Sequence, residues 1–182
     1  MASDKNSPPE RQSSVQSGIQ TETRPLIGVG VLVWREKKLL LGERITENQS
    51  NCWQFPGGCL ESGESVIECA QREVLEETSL RVKGLRHFGF TDKVFDAGKH
   101  EYITLLVSCE YSLGEAEALE ADKCVGWQWF DYKELPTPLF EPITNFISQA
   151  AVAQKNTSAQ CDLYALHCAS MVLPDASSGE HK

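Results

Sequence analysis

From Leu26 to Trp34 the chain reads LIGVGVLVW, with no polar side chain in the run. A short apolar stretch of this length, rich in β-branched residues, predicts a strand buried on both faces. Lys38 to Leu41 predicts a second strand, and Trp34-Arg35-Glu36-Lys37 a hairpin turn between them. Trp53 to Phe55 is a short extended piece that runs into Pro56-Gly57-Gly58, a turn signal. The period then changes. Between Ser65 and Thr78, Val66, Ile67, Ala70 and Val74 recur at helical spacing among good helix formers, without Gly or Pro. Extended chain resumes from Arg81 toward Phe90. EYITLLVSCEY, from Glu101 to Tyr111, predicts a central strand. Leu113 to Asp122 is an acidic loop. Val125 to Phe130 is a strand that places Trp127 and Trp129 on one face. Asn145 to Gln154 and Cys161 to Val172 are the remaining helix candidates.

Hairpins interspersed with a few helices, rather than regular βαβ units, place the chain in the α+β class. The pattern predicts one domain over residues 25–154. Residues 1–24, rich in Ser, Gln, Pro and Glu, are expected to be a disordered tail. Residues 155–182 are expected to be a C-terminal extension with a short helix and a loose end. At 182 residues there is room for one good core. A net charge of −9 and the lack of a basic patch argue against a nucleic-acid polymer as partner. No apolar run is long enough to span a membrane. Seven cysteines without a CxxC pair disfavour structural zinc. Their odd number and the polar N-terminus predict a reducing, cytoplasmic setting.

The helix carries the chemistry. Glu73, Glu76 and Glu77 stand at i, i+3 and i+4, so their carboxylates project from one face beside the apolar stripe. Like charges so placed destabilise a helix by about 0.2–0.5 kcal/mol per pair. Hard oxygen donors grouped this way suit Mg2+ or Mn2+. Gly57 and Gly58 let the backbone approach closely enough for a carbonyl to join them. The competing reading is an acidic face turned to solvent.

Spacing separates the two readings. GGCLESGESVIECAQREVLEETSL, from Gly57 to Leu80, resembles the Nudix box: Gly, five residues, Glu, seven residues, Arg-Glu, an apolar residue, any residue, Glu-Glu, any residue, Gly and an apolar residue. The matching positions are Gly58, Glu64, Arg72, Glu73, Val74, Glu76, Glu77 and Leu80, and Ser79 stands where the pattern has its last glycine. Similarity to the small nucleotide-sanitising, MutT-like members and their plant and vertebrate relatives extends over about Ile27 to Phe140. It is carried by LLLGERI, FPGGCLESGES, ECAQREVLEET, YITLLV and KCVGWQWFDYKELPTPLF.

The resemblance implies an α/β/α sandwich with a mixed sheet, a homodimer, and hydrolysis of a nucleoside diphosphate linked to a further group. Mg2+, with Mn2+ as substitute, would neutralise the diphosphate and acidify the attacking water. Glu73 and Glu77 are implied as metal ligands, joined by the Gly57 carbonyl. Glu76 is implied as a ligand or as the base. Arg72 would orient the carboxylates, and Glu64 would steady the loop or the helix start. Asp122 lies where similar proteins carry a further acidic ligand, with Glu120 as its substitute; a plain acidic loop is the alternative. Ser79 is expected in the left-handed conformation at a cost of roughly 1–2 kcal/mol, without consequence for chemistry.

The rest of the substrate needs an apolar wall. Candidates are Trp53, Phe55, Phe90, Trp127 and Phe140, with Gly58 in the phosphate-binding turn. Phe55 and Trp129 read equally as core. Arg44 points either at phosphate or into a surface salt bridge. Tyr102 starts the long strand, and His87 and His100 are loop candidates for a hydrogen bond. The favoured substrate is a nucleoside triphosphate, oxidised or not, such as 8-oxo-dGTP or dCTP, giving a monophosphate and pyrophosphate. The alternatives are a non-nucleotide substrate such as an isoprenyl diphosphate, or a nucleotide-binding module without catalysis.

Overall fold

The apolar run at Leu26 becomes the strand on which the sheet is laid. The computed structural model describes residues 24–45, 51–91, 95–96, 101–153 and 162–171. The expected disordered tail before Arg24 and the loose end of the C-terminal extension lie outside the described residues. The elements in order are β1 (Leu26–Arg35), β2 (Lys38–Arg44), β3 (Cys52–Gln54), β4 (Gly57–Cys59), α1 (Val66–Thr78), β5 (Arg81–Phe90), β6 (Phe95–Asp96), β7 (Glu101–Leu113), β8 (Cys124–Asp131), α2 (Glu141–Ala153) and α3 (Leu163–Ser170).

The strands form one mixed sheet in the order β3-β2-β1-β7-β5, with β4 added to β1, β8 to β2 and β6 to β7. β1 and β7 pair in parallel from Leu26–Tyr102 to Trp34–Glu110. The other pairings are antiparallel. On its second edge β1 pairs with β2 only at Trp34 and Arg35, and with β4 at Gly28, Val29 and Gly30. The sheet therefore divides along β1, and the candidate site forms where it divides.

Alternation sorts the side chains onto two faces. Val29, Val31 and Val33 of β1, Leu40 of β2 and Val107 and Cys109 of β7 pack on one face with Cys69, Ala70 and Val74 of α1. Leu32 and Trp34, Leu39 and Leu41, and Leu106 pack on the other with Ile143 and Phe146 of α2 and Leu163 of α3. These are the three layers of an α/β/α sandwich. Because the strand period is two, a one-residue slip in β1 would exchange the two sets.

The boundaries differ from the sequence expectation in instructive places. Arg35 pairs with Lys38, so the hairpin turn is Glu36-Lys37 alone, with Glu36 at φ 58°. α2 begins at Glu141, ahead of Asn145. Pro142 sits in its first turn, where a missing N–H costs nothing. α3 is shorter than expected, capped by Asp162, whose carboxylate accepts from the Tyr164 and Ala165 N–H groups at 3.0 Å. It docks on the sheet through a buried chain of polar groups. Trp34 Nε1 donates to Ser108 Oγ at 3.0 Å, and Ser108 Oγ lies 2.7 Å from His167 Nδ1. The Trp34 and His167 rings stack at 4.9 Å. Among the described residues, no helix is long and apolar enough to cross a membrane.

Candidate active site

α1 starts with a capping box: Ser65 accepts from the Glu68 N–H, and Glu68 accepts from the Ser65 N–H. It ends at Ser79, at φ 62°, whose N–H returns to Leu75 O at 3.0 Å. Ser79 thus adopts the left-handed conformation that the missing glycine would have supplied. The loop after β7 runs back along this end of the helix, with Glu117 N–H donating to Thr78 O and Leu119 N–H to Glu77 O. Trp127 Nε1 of β8 also donates to Glu77 O, at 3.1 Å. The last turn of α1 is thereby fixed against the sheet and the acidic loop.

Glu77 is 9% exposed, and its Oε2 accepts from the Gly57 N–H at 2.9 Å. Burial pushes its carboxyl up to about 7; the Gly57 hydrogen bond opposes this, and the charges of Glu73 and Glu120 add to it. Burial likewise raises Glu73, against the lowering effect of Arg72. The Glu73 carboxylate lies against Gly58, where an added Cβ would stand 2.3 Å from its Oε1. Gly57, at φ +151°, is excluded from bearing a side chain for a different reason: a Cβ would meet Val29 O at 2.0 Å. One glycine lets the chain turn and the next makes room for a carboxylate.

Arg72 gathers the rest. It pairs with Glu64 and Glu73 at 2.8 Å and with Glu76 at 3.2 Å, and its Nη2 donates to Cys59 O at 3.4 Å. The Arg72 hydrogen bonds, with one from the Glu61 N–H, hold the Glu64 carboxyl down at about 2. Glu64 is therefore tied to the loop and to Arg72 together. Glu76 is exposed and paired with Arg72. Glu120 is the loop carboxylate whose charge reaches Glu73 and Glu77. Asp122 is exposed, and its charge acts on Lys123. Among the described residues the carboxylates are not drawn into a cage of three ligands, since Arg72 and the Gly57 amide hold them. Yet mutually repelling carboxylates around a bare-backbone glycine turn are hard oxygen donors in excess of the local positive charge. That donor set fits a divalent cation such as Mg2+.

Beside this cluster lies an open cleft of about 220 Å3. Gly57, Gly58 and Cys59 form the end that adjoins Glu77 and Glu73, and Phe55, Leu106, Phe140 and Ile143 give it apolar walls. Arg44, Gln54, Tyr102 and Thr104 place polar groups along it. Of the expected wall residues, Phe55, Gly58 and Phe140 line it. Trp53 does not: it packs edge-on against Phe130 at 4.8 Å. Trp127 is in the core beneath α1, and Phe90 is 56% exposed at the end of β5. Aromatic size alone did not indicate direction. Arg44 is half-buried and makes no salt bridge among the described residues; its Nη1 donates to Gln54 Oε1 at 2.7 Å and its guanidinium covers the Phe140 ring. His87 is exposed on β5, and His100 lies outside the described residues. Gln54, Thr104, Leu106 and Ile143 were not among the expected site residues. They reach the cleft from elements distant in sequence, and only the inward alternation of β7 hinted at Thr104 and Leu106.

Comparison with known proteins bears on the same region. The NUDIX domain model matches residues 24–150. An NAD-capped RNA hydrolase NudC of Vibrio parahaemolyticus is 30% identical over 58% of this chain and 38% of its own. An ADP-ribose pyrophosphatase of Methanocaldococcus jannaschii is 28% identical over 64% of this chain and 68% of its own. The chain thus spans about two fifths of the length of the NAD-capped RNA hydrolases it matches. The crystal structure of a MutT NUDIX hydrolase from Burkholderia pseudomallei superposes with a TM-score of 0.60 at 25% identity, covering 69% of this chain and 95% of that one. With the family's domain matched across most of its length, and the glycine turn and glutamate helix in place, this chain belongs to the Nudix hydrolase family.

Proposed function

We propose that the chain hydrolyses the diphosphate linkage of a small nucleotide with the help of Mg2+, or Mn2+ in its place. A nucleoside triphosphate, oxidised or not, is the first candidate. The observation that carries this is the junction at Gly57-Gly58, where buried Glu77 and half-buried Glu73 adjoin the end of a cleft large enough for part of a nucleotide. Names among the relatives support a nucleotide-like diphosphate: ADP-ribose in one, NAD-capped RNA in another.

Glu73 and Glu77 would hold the cation, with Glu120 within reach of the same charge cluster. When bound, the metal supplies charge neutralisation for the diphosphate and a stronger acid in the attacking water. The chain's own groups do the rest. Arg72 keeps Glu73 and Glu76 oriented through charge-assisted hydrogen bonds. Gly58, without a side chain, lets phosphate approach the carboxylates. A cluster carboxylate, Glu76 or its neighbour, accepts the proton as water oxygen bonds to phosphorus. The bridging P–O bond breaks, and a triphosphate yields a monophosphate, pyrophosphate and a proton. The apolar walls exclude water from the base end of the cleft.

The test is a Mg2+-dependent product-release screen. It covers nucleoside triphosphates, ADP-ribose, NAD-capped and triphosphate-ended RNA, and isoprenyl diphosphates. Turnover of the free nucleotides ahead of the other classes is the expected result. The apolar lining from Phe55, Leu106, Phe140 and Ile143 also favours an isoprenyl chain. Preference for that class would replace the nucleotide but keep the metal chemistry. Turnover of nothing in the set would leave a binding module.

A further inference from the structure

Gln54 ends β3 and is 5% exposed, on a cleft wall whose apolar part is built from Phe55, Leu106, Phe140 and Ile143. Its Oε1 accepts a 2.7 Å hydrogen bond from Arg44 Nη1. A guanidinium has donors only, so the amide oxygen is the atom that faces it. Arg44 is itself held over the Phe140 ring at 5.0 Å. The carboxamide is therefore locked in one sense, with its NH2 end as the group left for the cleft. That NH2 has no hydrogen-bond partner among the described residues. It is a donor presented at the surface of the cleft, at a position where a leucine would offer none.

We propose that Gln54 is a specificity-determining residue whose Arg44-fixed NH2 donates to a carbonyl oxygen on the base of a bound nucleotide, so that keto bases are taken over amino bases. This rests on the nucleotide reading above and names the base class within it. The phosphate end of the cleft is fixed at Gly57-Gly58 by Glu73 and Glu77, which leaves the apolar wall with Gln54 for the base. A neutral donor in an apolar wall suits a neutral carbonyl. An exocyclic amino group in the same place would set donor against donor and leave both unpaired. Thr104, also on the wall, has a hydroxyl that donates or accepts and so does not discriminate. Selection falls to Gln54, because Arg44 denies it the freedom to flip.

The test measures binding of GMP and AMP by titration calorimetry on the full chain, alongside kcat/KM for GTP and ATP. Wild-type, Gln54→Leu and Gln54→Glu proteins are compared, with thermal melts to establish folding. Wild type should favour the 6-oxopurine over the 6-aminopurine by about tenfold or more, the size expected when a single buried hydrogen bond is replaced by an unpaired group. Gln54→Leu should bring the ratio close to one. Gln54→Glu keeps an acceptor for Arg44 but offers only acceptors to the base, and should reverse the ratio. If Gln54→Leu fails to fold, Gln54→Glu decides alone. A wild-type protein indifferent to the base, variants that keep the wild-type ratio, or no binding of either nucleotide overturns the proposal. GMP preferred in binding while no nucleoside triphosphate is hydrolysed would uphold it and remove the hydrolytic reading instead.

Discussion

Polar groups are buried on both sides of the sheet, with opposite outcomes. Beneath α3, Trp34 Nε1 donates to Ser108 Oγ, and Ser108 Oγ shares a hydrogen bond with His167 Nδ1. Burial lowers the His167 pKa, which favours the neutral ring. Each group in that chain answers the next. At the end of α1, by contrast, burial raises both Glu73 and Glu77, the charge of Glu120 raises both further, and the charge of Glu73 adds to the rise at Glu77. Arg72 and one backbone N–H offset only part of this. A closed network is a structural joint, since it needs nothing from outside. A network with surplus charge gains from a cation and is where chemistry is to be sought.

The largest test of this contrast is Glu77→Gln. Turnover should fall by a factor of roughly 10²–10³, the usual effect of losing one preorganised electrostatic contact in a transition state. Without metal the same change should stabilise the fold. The sign follows from proton binding. Glu77 titrates near 7 in the folded chain, above its ordinary value, so the folded state holds the extra proton between about pH 4.5 and 7. Its contribution to stability therefore declines as pH rises through that window, by on the order of 3 kcal/mol. Melts in EDTA from pH 5 to 8 should show a downward slope in wild type and a flatter one in the variant. A variant with wild-type turnover at the same Mg2+ dependence would erase the distinction between the two regions.

Ser108→Ala attacks the other side. It strands the Trp34 and His167 nitrogens and should cost about 1–3 kcal/mol. Chemical denaturation reads that loss, while Mg2+-dependent kinetics should stay as in wild type. A kinetic defect larger than the stability loss would show that the joint under α3 is coupled to the site. The smallest effect is expected of Ser79→Gly, which relieves a left-handed residue and should add roughly 0.5–1 kcal/mol without altering turnover. A loss of stability there would mean that the Ser79 side chain makes a contact worth more than the strain.

The sequence made the acidic cluster legible because its parts lie on one helix and one turn. Glu73 and Glu77 are a helical turn apart, and the glycines are brought to them by a short loop. Local geometry suffices there. The cleft was less legible because it is assembled from β1, β3, β4, β7 and α2, and the direction of each side chain depends on register. Trp53 and Phe55 are two residues apart, and both pack into the cluster on the α2 side of the sheet, as alternation requires. Yet only Phe55 lines the cleft, while Trp53 packs edge-on against Phe130. Gln54 carried no signal at all, since its meaning depends on an Arg44 bond across two strands. The loop carboxylate was narrowed to Glu120 or Asp122 by sequence. The backbone bonds of Glu117 and Leu119 to the end of α1 determine which charge comes near.

The parallel ladder of β1 and β7 joins partners more than seventy residues apart. Closing so long a loop sacrifices chain entropy before any contact offsets it, so this pairing should form late and slow the folding of the whole domain. Gly28, Gly30, Tyr102, Thr104 and Leu106 line the cleft from that same ladder. A partly folded chain can complete the α1 helix and still have no wall for a ligand. Small molecules that fit the cleft would thus slow unfolding of the finished domain without speeding its formation, acting as clamps on the native state and not as templates for it.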